Sequence, residues 1–174
     1  LFAIDPSSEK FRTSFQKNKI NLIVDFFSKK KVEIYQKENN LEKKNFSLIS
    51  SFAMFYDIEN PNSFCKDINC LLTKNGIWIV EFSYFPLLLQ NLTFDQINHE
   101  HVTYYTITTF NKIADQNGLK ILDINFNEIN GGSAEVILAK KSSKQRVNIQ
   151  KIKHILNQEK NINDSSYKRF SLRL

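Results

Sequence analysis

Glycine is scarce in this chain, with four among 174 residues, and no Gly-x-Gly pair occurs anywhere. A glycine-rich turn that would bring backbone close to a cofactor is therefore not encoded in these residues. There are only two cysteines, Cys65 and Cys70, five apart on an expected helix. That spacing suits neither a disulfide framework nor a zinc ribbon, so the default expectation is a reduced, cytoplasmic setting and no metal. Long apolar runs are missing as well. The best of them, residues 82–89, is broken by Pro86 and falls far short of the ~18 residues a membrane helix needs. No signal-peptide pattern is visible, because charge follows Leu1–Pro6 at once. Internal repeats and low-complexity linkers are absent too.

What is present is apolar bulk. Hydrophobic residues make up 41% of the chain and fifteen of them are Phe, which excludes intrinsic disorder and supplies one ordinary domain with a core. The net charge of +6 invites a nucleic-acid reading, but its distribution opposes one. From Lys140 onward ten Lys or Arg stand against two acids, so residues 1–139 sum to −2. The excess belongs to the tail, where no aromatic stripe interleaves the basic residues. A polar helix packed against something else explains it better than a groove for phosphates.

Apolar runs at Leu1–Ile4, Ile20–Val24, Phe46–Phe52 and Ile77–Phe82 read as strands. A helix is expected over Pro61–Leu72, stopped by Lys74-Asn75-Gly76, and another over Ile107–Asn117, stopped by Gly118. Leu119–Ile129 and Ala134–Ala139 read as a hairpin joined through Asn130-Gly131-Gly132-Ser133. Val147, Ile152, Ile155 and Leu156 mark a last amphipathic helix. Strands alternating with helices, each a nearly continuous apolar run, predict a parallel α/β sheet covered on both faces, closed by an antiparallel edge.

Ligands of such sheets bind beyond the carboxyl ends of the strands. Asp5, Asp25, the pair Ser50 and Ser51, and Glu81 with Tyr84 all fall there. An acid in that place either accepts from the ribose hydroxyls of a nucleotide or caps a helix, and its position alone leaves both open. The sharper feature is His99-Glu100-His101 with Tyr104 and Tyr105 close behind, since the chain holds only three histidines. A histidine beside a carboxylate suits proton transfer near neutral pH. General acid/base work and a plain polar turn both remain open, and a metal pair lacks a third ligand. Cys65 and Cys70 read as small core residues. So do Phe52, Phe55 and Tyr56, with an aromatic wall beside a cationic cofactor as the other reading.

Taken together, the segments Ala3-Ile4-Asp5-Pro6-Ser7, Asp25-Phe26-Phe27-Ser28, Phe55–Pro61, Gly76–Glu81, Phe94–Tyr105 and Asn130–Ser133 resemble the S-adenosylmethionine-dependent C-methyltransferases of nucleotide-linked deoxysugars and surface-polysaccharide sugars. The resemblance covers essentially the whole chain and is carried most specifically by His-Glu-His-x-x-Tyr-Tyr followed by Gly-Gly-Ser. It implies a Rossmann-like class I methyltransferase sheet and a cytoplasmic enzyme. It also implies His101 as general base toward a keto-sugar, with Glu100 and His99 orienting it or bonding the sugar. Asp5 would hold the cofactor ribose, Asp25 and Phe26 would flank the adenine, and Ser50 and Ser51 would lie beside the cofactor. Glu81, Tyr84, Tyr104, Tyr105 and the segment Asn130, Gly131, Gly132 and Ser133 would line the nucleotide-sugar pocket.

Two positions depart from the family pattern. Asn98 stands where a tyrosine is usual, and Asn130 where a histidine is common. By the resemblance, the chain looks like an internal piece. It would comprise a methyltransferase domain at 1–140 without its first strand, glycine loop and zinc module, and a basic helical tail at 141–174 leading to a further domain. The competing expectation is a non-catalytic binding or assembly module that retains the fold and forms homo-oligomers through sheet edges. Nicotinamide chemistry gains nothing from the Tyr-Tyr and His-Glu-His segments. A neutral body argues against nucleic-acid methylation.

Overall fold

The computed structural model describes residues 1–162 and 164–172, without the side chains of Asp164, Ser165 and Arg169. Arg173, counted above with the basic tail, lies outside the described residues. The chain forms two compact units, residues 1–45 and residues 46–174.

In the first unit, strand β1 (Phe2–Ile4), helix α1 (Arg12–Lys17), strand β2 (Asn21–Ile23) and helix α2 (Lys29–Glu38) follow one another. The two strands pair in parallel, Ala3 opposite Leu22. Ser28 caps α2 by accepting from the Lys31 N–H at 3.3 Å. Leu22, Ile23 and Val32 supply the buried apolar side chains.

The second unit contains strand β3 (Phe46–Phe52), helix α3 (Pro61–Leu71), strand β4 (Leu72–Ser83), helix α4 (Phe85–Asn91), helix α5 (Ile107–Gln116), strand β5 (Leu119–Asn127), strand β6 (Ser133–Lys140) and helices α6 (Ile149–Glu159) and α7 (Asp164–Ser171). The strand order is β3-β4-β6-β5. β3 is parallel to β4, whereas β6 runs antiparallel to both its neighbours. The expected hairpin is therefore present, but β6 lies inside the sheet and β5 forms the edge.

Local chemistry explains the helices. Asn60 caps α3, Pro61 begins it without needing an N–H, and Phe64, Cys65, Ile68 and Leu71 form its buried stripe. Thr106 caps α5, which buries Ile107, Phe110 and Ala114. Alternate residues of β4, namely Trp78, Val80 and Phe82, point into the core. Phe55 sits among them, with ring centroids 5.1 Å from both Phe110 and Tyr105.

Several expectations need correction. Residues 46–52 read in the sequence as a buried strand, yet Leu48 and Phe52 are 54% and 52% exposed, because β3 is the outer strand of its sheet among the described residues. Lys74-Asn75-Gly76 does not stop a helix. α3 passes directly into β4, and residues 73–76 bulge out between the pairs Phe46–Leu72 and Leu48–Ile77. Gly76 fits there because a Cβ would sit 2.7 Å from the Phe46 carbonyl oxygen. Cys65 is a core residue as expected, but Cys70 is exposed. Among the described residues no helix is long and apolar enough to cross a membrane.

Candidate functional site

In the first unit, the acids after the two strands stand where the sequence placed them. Asp5 follows β1, and its Oδ1 accepts from the Ser7 N–H at 2.6 Å and the Ser7 hydroxyl at 2.7 Å. Its Oδ2 makes no hydrogen bond among the described residues. Asp25 follows β2, receives the Phe26 N–H at 2.8 Å and pairs with Lys31. The Lys31 ammonium is the main reason its carboxyl is held below the usual carboxylate range. The Phe26 ring is 76% exposed.

In the second unit, the segment after α4 carries the histidines. A short turn at Phe94–Gln96 leads into a loop, and the Asn98 side chain then accepts from the N–H groups of Glu100 at 2.9 Å and His101 at 3.1 Å. Asn98 thus folds the His-Glu-His turn on itself, which a tyrosine at that position could not do. His99 and Glu100 are exposed in this turn, so the two imidazoles do not share a strand face. His101 is half-buried. Its Nδ1 lies 2.8 Å from the Gln96 carbonyl oxygen. A carbonyl only accepts, so Nδ1 carries the proton and Nε2 keeps a basic lone pair. Tyr104 donates to the same carbonyl at 3.2 Å.

The Tyr56 ring packs on His101 with centroids 4.3 Å apart. Burial, then the charges of Asp57 and Glu81, push the Tyr56 phenol above its usual range. Asp57 is pushed up by loss of water, with Glu100 adding to the shift and His101 opposing it. His101 therefore lies beside the Tyr56 and Tyr104 rings, with the Asp57 carboxyl close enough to feel its charge. Among the described residues no group of three potential ligands could hold a metal.

Other candidate residues lie deeper. Ser51 is buried and accepts from the Trp78 indole N–H at 3.1 Å, while Ser50 is exposed. Glu81 is buried and receives Asn127 at 2.7 Å. Tyr84, expected in a sugar pocket, is buried against Phe126 and donates to Glu159 at 2.7 Å. Tyr105, also expected in a sugar pocket, is instead 1% exposed inside the aromatic core, and its main chain bridges to that of Tyr84. Gly131 and Gly132 have φ of +76° and +133°, and a Cβ on either would strike Thr93 or Leu87. Asn130 is itself left-handed, and Asn91 donates to the Gly131 carbonyl at 2.7 Å. The Ser133 hydroxyl donates to the Ile129 carbonyl at 2.9 Å. This segment therefore pins the β5–β6 turn onto α4.

Sequence reasoning missed Glu159. Its carboxylate accepts from the N–H groups of Ile107 at 2.6 Å and Thr108 at 2.7 Å, and from the Thr108 hydroxyl and Tyr84. One signal was available: Glu159 continues the buried Ile152–Ile155 stripe of α6, where an acid needs partners.

In the second unit a parallel pair is continued by a reversed inner strand, β6, with β5 at the edge. A family model described as a methyltransferase domain matches residues 1–124, and the chain belongs to that family. The C-methyltransferase NovU of Streptomyces niveus is 29% identical over 92 residues, which is 53% of this chain and 22% of that protein. The chain thus spans about a fifth of that relative's length. The N-methyltransferase NodS from Bradyrhizobium japonicum superposes with a TM-score of 0.54 at 13% identity, over 80% of this chain and 72% of its own. A putative methyltransferase in complex with the Haloferax volcanii Trm112 activator gives 0.59 at 11%, over 80% and 71%. These likenesses show the Rossmann-like methyltransferase fold. NodS has also been crystallised with S-adenosyl-L-homocysteine.

Proposed function

We propose that this chain is the methyl-transfer part of an S-adenosylmethionine-dependent C-methyltransferase acting on a nucleotide-linked keto-deoxysugar. The family match and NodS's complex with S-adenosyl-L-homocysteine support the cofactor, and NovU's name supports transfer to carbon. The observation that carries the reading is His101, whose Nδ1 is committed to a backbone carbonyl and whose Nε2 is free to take a proton.

The residues of the first unit fit the cofactor. Asp5 follows a parallel strand and keeps Oδ2 available for a ribose hydroxyl, and Phe26 offers an exposed ring to an adenine. When bound, S-adenosylmethionine supplies an electrophilic methyl group. His101 Nε2 removes the proton from the carbon next to the sugar carbonyl, and the resulting imidazolium lies among Asp57, Glu100 and the Tyr56 ring. The carbanion, held as its enolate, would be the nucleophile toward that methyl group, the sulfonium carbon–sulfur bond breaking as the new carbon–carbon bond forms and S-adenosylhomocysteine leaving. Proton transfer by such a base contributes about 10²–10⁴-fold, and orientation of the sugar must supply much of the remainder.

Calorimetric titration of the chain with S-adenosylmethionine and S-adenosylhomocysteine tests the cofactor. Saturable binding that Asp5→Ala weakens at least tenfold is expected. No binding by a chain that still melts cooperatively overturns the cofactor assignment for these residues. His101→Gln is expected to retain that binding and to abolish methylation of a nucleotide-linked keto-deoxysugar.

A further inference from the structure

His101 is held from more than one side. The Gln96 carbonyl fixes Nδ1 at 2.8 Å, and the Tyr56 ring covers the imidazole with centroids 4.3 Å apart and planes inclined at 49°. The main chain repeats the attachment, because the Thr103 N–H donates to the Tyr56 carbonyl at 3.2 Å. The residue whose ring meets the imidazole therefore also anchors the loop two positions beyond it. Tyr56 is itself immobilised, being 7% exposed and set in a short turn at Phe55–Asp57. Its neighbour Phe55 is locked in the core aromatic cluster. The charged groups interacting with this assembly are Asp57 and Glu81 from the core side and Glu100 from the loop, with the Tyr104 ring at 6.2 Å.

We propose that Tyr56 is a positioning residue for His101: its ring and carbonyl hold the imidazole against Gln96, so that the neutral side chain carries its proton on Nδ1 and presents Nε2 as the base. In water a neutral histidine side chain favours the opposite arrangement, with the proton on Nε2. The fold thus has to impose the form that proton abstraction through Nε2 requires. The role matters for catalysis only if His101 is the base, but the tautomer belongs to the chain itself and can be read without substrate. Ring packing is the operative contact, so the phenol oxygen is dispensable.

The test uses the full 174-residue chain labelled with ¹⁵N, held above the range in which histidine protonates. Long-range ¹H–¹⁵N correlations then report the tautomer of each of its three histidines, and His101→Gln identifies the His101 signals by their loss. Wild type and Tyr56→Phe should both show the Nδ1–H form at His101. Tyr56→Leu should shift it to the Nε2–H form or to an average, with the signals of His154 unmoved. An Nε2–H form in the wild type, or an Nδ1–H form that persists in Tyr56→Leu, overturns the proposal. Should Tyr56→Leu not fold, the wild-type chain still decides. Stacking at this distance must move the His101 ring protons upfield and give ring-to-ring nuclear Overhauser contacts with Tyr56, and their absence overturns it equally. Methylation that survives His101→Gln would remove the base while leaving a tautomer result standing, so the two failures are distinct.

Discussion

Two cysteines five residues apart on one helix meet opposite fates. Cys65 is completely buried, and loss of water pushes its thiol up to about 12. Cys70, one turn further along α3, is exposed. The thiolate is the reactive form, and near pH 8 a thiol titrating near 12 holds only about one part in 10⁴ of it. Treatment of the native chain with a thiol-specific chromogenic reagent should therefore modify Cys70 alone, with Cys65 reacting after denaturation. Two equivalents released at the same rate from the folded chain would contradict the burial. The sequence places both cysteines on α3 but cannot say which of them faces the core. The phase of the helix is set by Phe64 and Ile68, and the small side chain of Cys70 carries no strong preference of its own. The same limit applies at Tyr104 and Tyr105. Adjacent tyrosines look alike in sequence, yet one bonds the Gln96 carbonyl and the other fills the core.

At the scale of elements, Glu159 ties three of them together. From the last turn of α6 it caps the first turn of α5 and receives the phenol at the end of β4. Acidic side chains at a helix N-terminus are favourable because unpaired N–H groups converge there. Here the alternative to the bond is a set of buried donors without partners. Glu159→Ala should destabilise the chain by about 2–4 kcal/mol in denaturant unfolding. Tyr84→Phe should cost about 1 kcal/mol alone, and much less in the Glu159→Ala background, because its acceptor is already gone. Fully additive losses would mean that the two side chains do not share the bond. The helices were legible in part: Gly118 marked the end of α5, and the spacing of Ile152 and Ile155 marked α6, although Val147, read with them, lies before that helix begins. The contact between α6 and α5 was not legible, because residues fifty apart meet only through the packing of both helices beside β5. The stop expected at Lys74-Asn75-Gly76 failed for a related reason, since a bulge and a turn use the same residues and only the partner strand distinguishes them.

For the molecule as a whole, the unequal burial of the two units sets unequal stability. The first unit buries few apolar side chains behind two three-residue strands. The second holds the aromatic core and a four-stranded sheet. Backbone amides open with free energies that follow local burial. Amides of β4 and β6, paired on both edges, should therefore exchange at least about a hundredfold more slowly than those of β1 and β2. Equal protection would mean that all 174 residues unfold as a single cooperative body. The α/β class was legible because its alternation of strands and helices is written in the periodicity, whereas the position of β6 between β4 and β5 was not, since strand order leaves no local mark. That order has a consequence for how the chain is made. β5 leaves the ribosome before the strand that must separate it from β4 exists, so the sheet cannot be laid down in the order of synthesis. Until Ser133–Lys140 emerges, β4 carries an open edge on the side that β6 will pair. The nascent polypeptide is most exposed to wrong pairing during that interval, and a pause in translation just before β6 would lengthen it.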